Sequence, residues 1–303
     1  MAIHWYPGHM HKASKEIKEA LPKVDLFIEI LDARIPYSSE NPMLAKLRGD
    51  KPCIKLLSKS DLADPERTQQ WQEILEQERG VKTLAISIDQ PEKLHRIVEL
   101  IHKLVPQKQG KLIQAMITGI PNVGKSTLIN QLTGRTIAKT GNEPAVTKGQ
   151  QRIKLEDNLY LLDTPGVLWP KVENEHSSYR LGVTGAIKDT AMEYEDIAFY
   201  AAEFLLSAYP QLLKQRYELD ELPETELELL EAIGRKRGCL RGGNRVDLNK
   251  VSMLFINELR AGTLGRITFE SPEMRDNEEK QVAIQQALKE EKKDARKTRR
   301  KKK

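Results

Sequence analysis

Residues 119–127 (GIPNVGKST) have the types and spacing of a phosphate-binding loop. They follow an apolar run at 112–118 and lead into a stretch with helical character, the order of strand, glycine loop and helix that such a loop requires. Backbone N–H groups and the positive end of the helix would hold the phosphates. Lys125 would reach the β- and γ-phosphates, and Ser126 would place its hydroxyl on Mg²⁺. The residues expected to touch the nucleotide here are Asn122, Val123, Gly124, Lys125, Ser126 and Thr127. The alternative is a glycine turn that happens to precede a Lys-Ser pair.

A second segment, residues 163–166 (DTPG), ends a predicted strand downstream of this loop. The Asp163 carboxylate would hold Mg²⁺ through water, and the Gly166 N–H would meet the γ-phosphate. Residues 134–150, between the two segments, are rich in Gly, Thr and Lys, so we expect a mobile stretch. Thr147 within it would complete the Mg²⁺ shell only when the γ-phosphate is present, which assigns Thr147 to both the metal site and the catalytic site.

Residues 58–61 (SKSD) resemble the guanine-reading sequence Asn-Lys-x-Asp. The Asp61 carboxylate would accept two hydrogen bonds from N–H groups of guanine, a pair that adenine lacks. Lys59 would lie along the plane of the base. Ser58 stands where that guanine-reading sequence has asparagine. The serine side chain is shorter than the amide it replaces, which predicts weaker affinity for the base. Ser87, at the end of another predicted strand, would offer its backbone N–H to the guanine oxygen, although a plain strand end is the alternative there.

The order of these motifs predicts a circular permutation. The base-reading segments precede the phosphate loop and the Mg²⁺ strand, whereas the phosphate loop comes first in the familiar GTPase arrangement. Open parallel sheets bind ligands at the carboxyl ends of their strands, so all of these motifs are expected at one rim. The γ-phosphate sensor at 163–166 then leads directly into the second half of the chain, to which its movement would be passed.

Alternating strands and helices in the first part of the chain predict an α/β fold, with a mostly parallel sheet covered by helices on both faces. After about residue 172 the segments read as helices, with no strong strand. We therefore predict a circularly permuted P-loop GTPase domain at 1–172, a smaller all-α domain at 173–271, and a helix fraying into a basic, disordered tail at 272–303. The predicted strands are 24–31, 53–57, 81–88, 112–118, 151–155 and 159–162. The predicted helices are 11–21, 43–48, 66–79, 91–105, 127–133, 182–191, 195–209, 224–234 and 248–261.

The positive charge of the chain is concentrated at one end. The 303 residues carry a formal net charge of +5, and residues 289–303 contain ten Lys/Arg against three Asp/Glu, which leaves 39 basic and 41 acidic residues elsewhere. A segment of this kind is attracted to polyanions, and RNA suits it better than a membrane because it has no apolar face. No run of about 18 uncharged apolar residues occurs, so no membrane span is expected. Two distant cysteines and the lack of a secretory signal suggest a reduced cytoplasmic setting.

The chain resembles the ribosome biogenesis GTPase A (YlqF-type) family of circularly permuted GTPases, and the likeness runs nearly end to end. Besides the phosphate loop, the segments that carry it are WYPGHMHKA at 5–13, LDARIPYSSENP at 31–42, DTPGVLWPK at 163–171, AIGRKRGCL at 232–240 and GGNRVDLNK at 242–250. The resemblance implies a cytosolic GTPase that assists late assembly of the large (50S) ribosomal subunit and whose helical domain contacts ribosomal RNA. The basic residues that match this expectation are Arg235, Lys236, Arg237, Arg241 and Arg245. A solvated turn is the alternative for them.

The resemblance also bears on hydrolysis, which needs a group that orients the attacking water. Many GTPases place a Gln after the Gly of DxxG, but Val167 occupies that position here. The family likeness points instead to His9, which can order or polarise water near neutral pH. Without that likeness His9 is a histidine in a loop, and a structural role is the alternative. Asn122 resembles the asparagine that potassium-activated GTPases use, so K⁺ joins Mg²⁺ as an expected cofactor.

These observations lead to one functional hypothesis and two rivals. The hypothesis is a slow, Mg²⁺-dependent GTPase that produces GDP and phosphate, is stimulated by the ribosome, and works as a cytoplasmic monomer on precursors of the large subunit. The first rival is a nucleotide-gated RNA-binding scaffold in which turnover is not essential. The second is an RNA- or translation-directed GTPase unrelated to assembly.

Overall fold

A six-stranded sheet forms the centre of the first half of the chain. The computed structural model describes residues 8–136, 151–169 and 172–301, without the side chains of residues 8, 9, 91, 190 and 293–301. The strands are β1 (Leu26–Asp32), β2 (Cys53–Ser58), β3 (Val81–Ala85), β4 (Ile113–Gly119), β5 (Gln151–Glu156) and β6 (Leu159–Asp163). Their order across the sheet is β3-β2-β1-β4-β6-β5. All neighbours are parallel except β5 and β6, which form an antiparallel pair, so the predicted sheet and hairpin are confirmed.

Burial explains why the central strands have such continuous apolar sequences. Every residue of β1 and of β2 is buried, as expected for parallel strands that are covered on both faces. The helices of this half are α1 (Gly8–Ala20), α2 (Pro36–Ser39), α3 (Pro42–Arg48), α4 (Pro65–Leu75), α5 (Leu94–Leu104) and α6 (Lys125–Thr133).

Helices dominate the second half, as predicted. They are α7 (Glu175–Val183), α8 (Tyr194–Ala208), α9 (Pro210–Tyr217), α10 (Glu226–Lys236), α11 (Leu248–Arg260) and α12 (Pro272–Lys301). Helix α8 packs against both α10 and α11, and the apolar residues between them, such as Leu205, Leu230 and Phe255, are fully buried.

The predicted helix at 182–191 was wrong. Helix α7 begins earlier because Asn174 caps it, accepting hydrogen bonds from the backbone N–H groups of His176 and Ser177. The helix ends at Val183, and Gly185 follows with a φ of 78°, a left-handed conformation that terminates helices. Sequence reasoning also missed α9, which starts with a proline, and a short hairpin of β7 (Leu240–Arg241) and β8 (Arg245–Val246).

Residues 272–301 form one helix, so the helix predicted to begin this segment continues into the basic residues, where fraying was expected. Their Ala, Glu, Gln, Lys and Arg residues are strong helix formers, and the first turns are anchored to the rest of the fold. Glu278 is buried and pairs with Arg180 at 2.6 Å. Just before this helix, the Phe269 N–H donates to the Arg34 carbonyl at 2.8 Å, so the C-terminal segment returns to the sheet. Among the described residues, no helix combines the length and the apolar character needed to cross a membrane.

A buried carboxyl group lies in the middle of the sheet. Glu29 in β1 is 4% exposed, and its Oε1 accepts the backbone N–H of Asn41 at 3.2 Å. Burial, together with the nearby Glu40 carboxylate, raises the pKa of Glu29 to about 7, despite the opposing effect of Lys55. The folded chain therefore holds a proton that the unfolded chain releases at lower pH.

This difference predicts a pH-dependent stability. The contribution of Glu29 is fully present below about pH 4.5 and is lost as the pH rises through about 7. A Glu29→Gln variant should therefore show a flatter decline in unfolding free energy between about pH 5 and pH 8, with a difference of about 3 kcal/mol across that window. Urea titrations followed by circular dichroism measure it, and Glu99→Gln on the exposed face of α5 is the control. Equal slopes for the wild type and Glu29→Gln would contradict the prediction.

Candidate nucleotide-binding site

The phosphate loop joins β4 to α6 at the rim formed by the carboxyl ends of the parallel strands. Gly124 caps α6 with a φ of 90°, and Asn122 has a φ of 60°, so the chain turns tightly before the helix. A Cβ atom at Gly119 would lie 2.9 Å from the Ile30 carbonyl oxygen, which shows how closely the loop passes β1. Left-handed residues in such a turn direct consecutive N–H groups to one side, which is the geometry that binds phosphate.

Two charged side chains predicted to serve the nucleotide are in contact at this rim. The Lys125 ammonium donates to Oδ1 of Asp163, and these side chains are 6% and 0% exposed. Burial raises the pKa of the Asp163 carboxyl. Its Oδ2 is buried and has no hydrogen-bond partner among the described residues. The buried carboxylate oxygen of Asp163 and the hydroxyl of Ser126, which follows Lys125 in the chain, are the kind of oxygen ligands that suit a hard cation such as Mg²⁺.

The base-reading segment lies against the phosphate loop. Lys59 has a φ of 55°, and its ammonium donates to the Asn122 carbonyl at 2.7 Å and to Oδ2 of Asp32 at 3.0 Å. The buried Ser58 hydroxyl lies 2.7 Å from the Val123 carbonyl oxygen. Ser58 therefore contacts the phosphate loop directly, despite being shorter than the expected asparagine.

Asp61 and Ser87 complete the base-reading side of the rim. Asp61 is exposed, while Ser87 is buried. The backbone N–H of Ser60 donates to the Ile86 carbonyl at 3.1 Å, so the two segments are joined. The structure thus brings residues 58–61, residue 87 and the phosphate loop together, as the permuted order predicts.

Sequence reasoning missed two residues of this rim. Asp32 ends β1, and its carboxylate accepts from the Arg34 guanidinium at 2.9 and 2.7 Å as well as from Lys59. Burial alone would raise the pKa of Asp32, but the Arg34 and Lys59 charges outweigh it and hold the pKa well below its usual range. The signal was available, because Asp32 also stands at the carboxyl end of a strand.

The predicted sensor segment, 163–166, is seated on the phosphate loop. The Thr164 hydroxyl donates to the Ile117 carbonyl at 2.9 Å. A Cβ atom at Gly166 would lie 3.1 Å from Cα of Pro121, so a larger residue there would push the two loops apart. Thr147 lies outside the described residues. The backbone of His9 belongs to α1, but the side chain of His9 also lies outside the described part of the chain.

The five basic residues predicted to bind RNA lie together at another part of the chain, around the end of α10 and the β7–β8 hairpin. Arg235, Arg241 and Arg245 are exposed. Arg241 pairs with Asp247 at 2.9 Å and Arg235 with Glu231 at 3.2 Å. These ion pairs offset part of the positive charge of the cluster.

This fold and rim define a class of protein, the circularly permuted P-loop GTPases. A glycine loop follows the central β4, a buried aspartate ends β6, and the segment that resembles the guanine-reading sequence comes before both in the chain. A family model described as "50S ribosome-binding GTPase" matches residues 114–229. That match begins in β4 and does not include residues 58–61, in agreement with the permuted order.

Comparison with whole proteins gives the particular family. The chain is 48% identical over 282 residues to ribosome biogenesis GTPase A of Priestia megaterium, covering 90% of this chain and 98% of the relative. It is 33% identical over 269 residues to ribosome biogenesis GTPase A of Thermotoga maritima, covering 89% and 94%. The solved GNP-bound structure of YlqF from T. maritima matches with a TM-score of 0.63 at 30% identity, covering 87% of this chain and 99% of that one. The chain belongs to the ribosome biogenesis GTPase A family.

The position of Asp61 generates a test of base recognition. Asp61→Asn should weaken GTP binding on the order of 10- to 100-fold, because guanine N–H groups lose their charged acceptor, and should improve binding of xanthosine triphosphate, whose changed edge suits an amide. Calorimetric titration with both nucleotides measures the change. Asp157→Asn, in the exposed turn between β5 and β6, is the control. Unchanged affinities for both nucleotides would show that residues 58–61 do not read the base.

Proposed function

We propose that this GTPase hydrolyses GTP slowly, depends on Mg²⁺, and binds precursors of the large ribosomal subunit in its GTP state until hydrolysis releases it. The observation that carries the proposal is the convergence of Lys125, Asp163 and the Lys59 loop at one rim. The relatives named ribosome biogenesis GTPase A, and the family description that refers to the 50S subunit, support the choice of ribosomal partner.

The chain's own residues would act as follows. Backbone N–H groups of residues 122–127 bind the phosphates, and Lys125 turns from Asp163 to the β- and γ-phosphate oxygens. Asp163, Ser126 and Thr147 are the residues that would hold Mg²⁺, which supplies positive charge where the transition state accumulates negative charge. On the base side, Asp61 and Lys59 hold guanine, with the Ser87 N–H on the guanine oxygen.

Slow turnover follows from the residue beside the sensor. Val167 is 1% exposed and apolar, so it has no group with which to orient water. We assign that task to His9, and stimulation by the ribosome to the placement of this histidine over the nucleotide. Asn122 in the phosphate loop is the proposed K⁺ ligand.

Direct contacts support transmission from the nucleotide to the helical half. The Asn122 side-chain amide donates to the Gly185 carbonyl, just after α7, at 2.8 Å. A Cβ atom at Gly262, after α11, would lie 2.5 Å from Cδ2 of Leu62, which follows Asp61. Both the phosphate loop and the base-reading loop therefore touch the half of the chain that carries the basic residues proposed to bind ribosomal RNA. A cytoplasmic monomer accords with this role.

Turnover assays with and without large subunits test the proposal. Wild-type protein should hydrolyse GTP and not ATP, faster with subunits, and faster in K⁺ than in Na⁺. His9→Ala should still bind GTP but lose most of the stimulated rate, on the order of 10²-fold, and should remain bound to the particles. His95→Ala, on the exposed side of α5, is the matched control. Release that is unaffected by His9→Ala would favour the scaffold in which turnover is not essential.

The basic end of α12 generates a separate test. Deleting residues 289–303 should reduce affinity for ribosomal RNA more at about 50 mM salt than at about 300 mM, because fewer counterions are released on binding. Filter binding at both salt concentrations measures the effect. A variant with Gln at the ten basic positions of this segment should lose as much affinity as the deletion. Normal binding by the Gln variant would mean that charge is not the cause.

A further inference from the structure

Asn41 is a buried side chain that uses both of its polar atoms. It caps α3, and its Oδ1 accepts the backbone N–H of Met43 at 3.0 Å. Its Nδ2 donates to the carbonyl oxygen of Val167 at 2.8 Å. The side chain is 0% exposed, so water does not compete for either bond. Asn41 thus binds the backbone of Val167, immediately after the sensor segment, although the two residues are 126 positions apart in the chain.

The backbone around Gly166 is fixed on three sides. The N–H of Val167 donates to the Gly119 carbonyl at 3.1 Å, the Val167 carbonyl accepts from Asn41, and Gly166 itself packs against Pro121. Two hydrogen bonds and one close contact therefore set the direction of the chain at this point. The Gly166 peptide therefore lies in a stretch of backbone that these three contacts restrain.

The backbone of Asn41 is itself held by hydrogen bonds, which fix the position from which its side chain extends. Its backbone N–H donates to the buried Glu29 of β1, and its carbonyl accepts the N–H of Leu44 at 2.9 Å in the first turn of α3. The central strand of the sheet therefore determines where the side-chain amide lies. A preorganised donor of this kind places its acceptor without losing conformational entropy during the reaction.

We propose that Asn41 is a positioning residue for γ-phosphate recognition: through the Val167 carbonyl it holds the Gly166 N–H where the γ-phosphate of GTP is bound. This inference rests on the proposed function. It concerns only the nucleotide that carries a γ-phosphate, since GDP makes no contact with the sensor segment in this scheme. The alternative is that Asn41 serves only as the cap of α3.

Three substitutions separate these roles. Asn41→Ser keeps a neutral capping oxygen but is too short to reach Val167. Asn41→Asp keeps the shape and the cap but removes the donor. Asn41→Ala removes both. Calorimetric titration of each variant with GDP and with a non-hydrolysable GTP analogue, in Mg²⁺, gives the ratio of the two affinities, and thermal unfolding reports the cost to the fold.

The expected result is a loss that is specific to the analogue. Asn41→Ser should bind the GTP analogue about tenfold more weakly than wild type, as for one lost buried hydrogen bond, and GDP within about twofold. Asn41→Asp and Asn41→Ala should show the same selective loss. The inference is overturned if Asn41→Ser keeps the wild-type ratio while Asn41→Ala does not, which is the pattern of a simple cap. Equal weakening of both nucleotides would also overturn it.

A different measurement, GTP turnover by the wild-type chain, tests the proposed function itself. A wild-type chain that binds both nucleotides but does not turn over GTP, with or without large subunits, would refute the hydrolytic cycle. The ratio of affinities is an equilibrium quantity, so the Asn41 test would still give its answer.

Discussion

The nucleotide rim depends on the Lys59 ammonium, which links three loops that are distant in sequence. It donates to the Asn122 carbonyl of the phosphate loop and to the Asp32 carboxylate at the end of β1, and its own backbone belongs to the base-reading loop. A buried carboxylate between two cations is stable only if its partners stay in place, since leaving it unpaired in a low-dielectric setting is costly. The two ends of the nucleotide site are therefore held at a fixed separation.

A second buried network ties the helical half to this rim. The Glu270 carboxylate accepts the backbone N–H groups of Tyr37 and Ser38, at 2.7 and 3.0 Å, at the start of α2. Arg180 of α7 reaches both Glu270, at 3.4 Å, and Glu278, at 2.6 Å. Helix α2 follows Asp32 and Arg34, while α7 follows the sensor segment. The C-terminal segment thus links the Asp32 side of the site to the sensor segment, and a rotation of α7 would displace residues on both sides.

The permuted order of the chain places the predicted sensor segment directly before the helical half. Strand β6, which ends at Asp163, is followed closely by α7, so the predicted sensor segment and the helical half are neighbours in the chain as well as in space. Asn122 and Leu62 add contacts from the phosphate and base-reading loops. The sensor segment, the phosphate loop and the base-reading loop therefore all contact or adjoin the helical half, which carries the basic residues.

Local patterns in the sequence were sufficient for the strands, most helices, the permuted order and the family. Loop chemistry is local: the prediction that residues 119–127 and 163–166 serve phosphate and metal uses only residue types at adjacent positions, and the carboxyl-end rule places them at one rim. The wrong helix at 182–191 arose where a cap and a glycine shifted the boundaries, since apolar periodicity does not mark helix ends well. Asn41, which caps α3, and Glu270 gained their distant partners only in the tertiary structure. Their contacts join residues up to 233 positions apart, and a polar side chain's partner across such a distance is decided by how the elements pack, which no local pattern encodes.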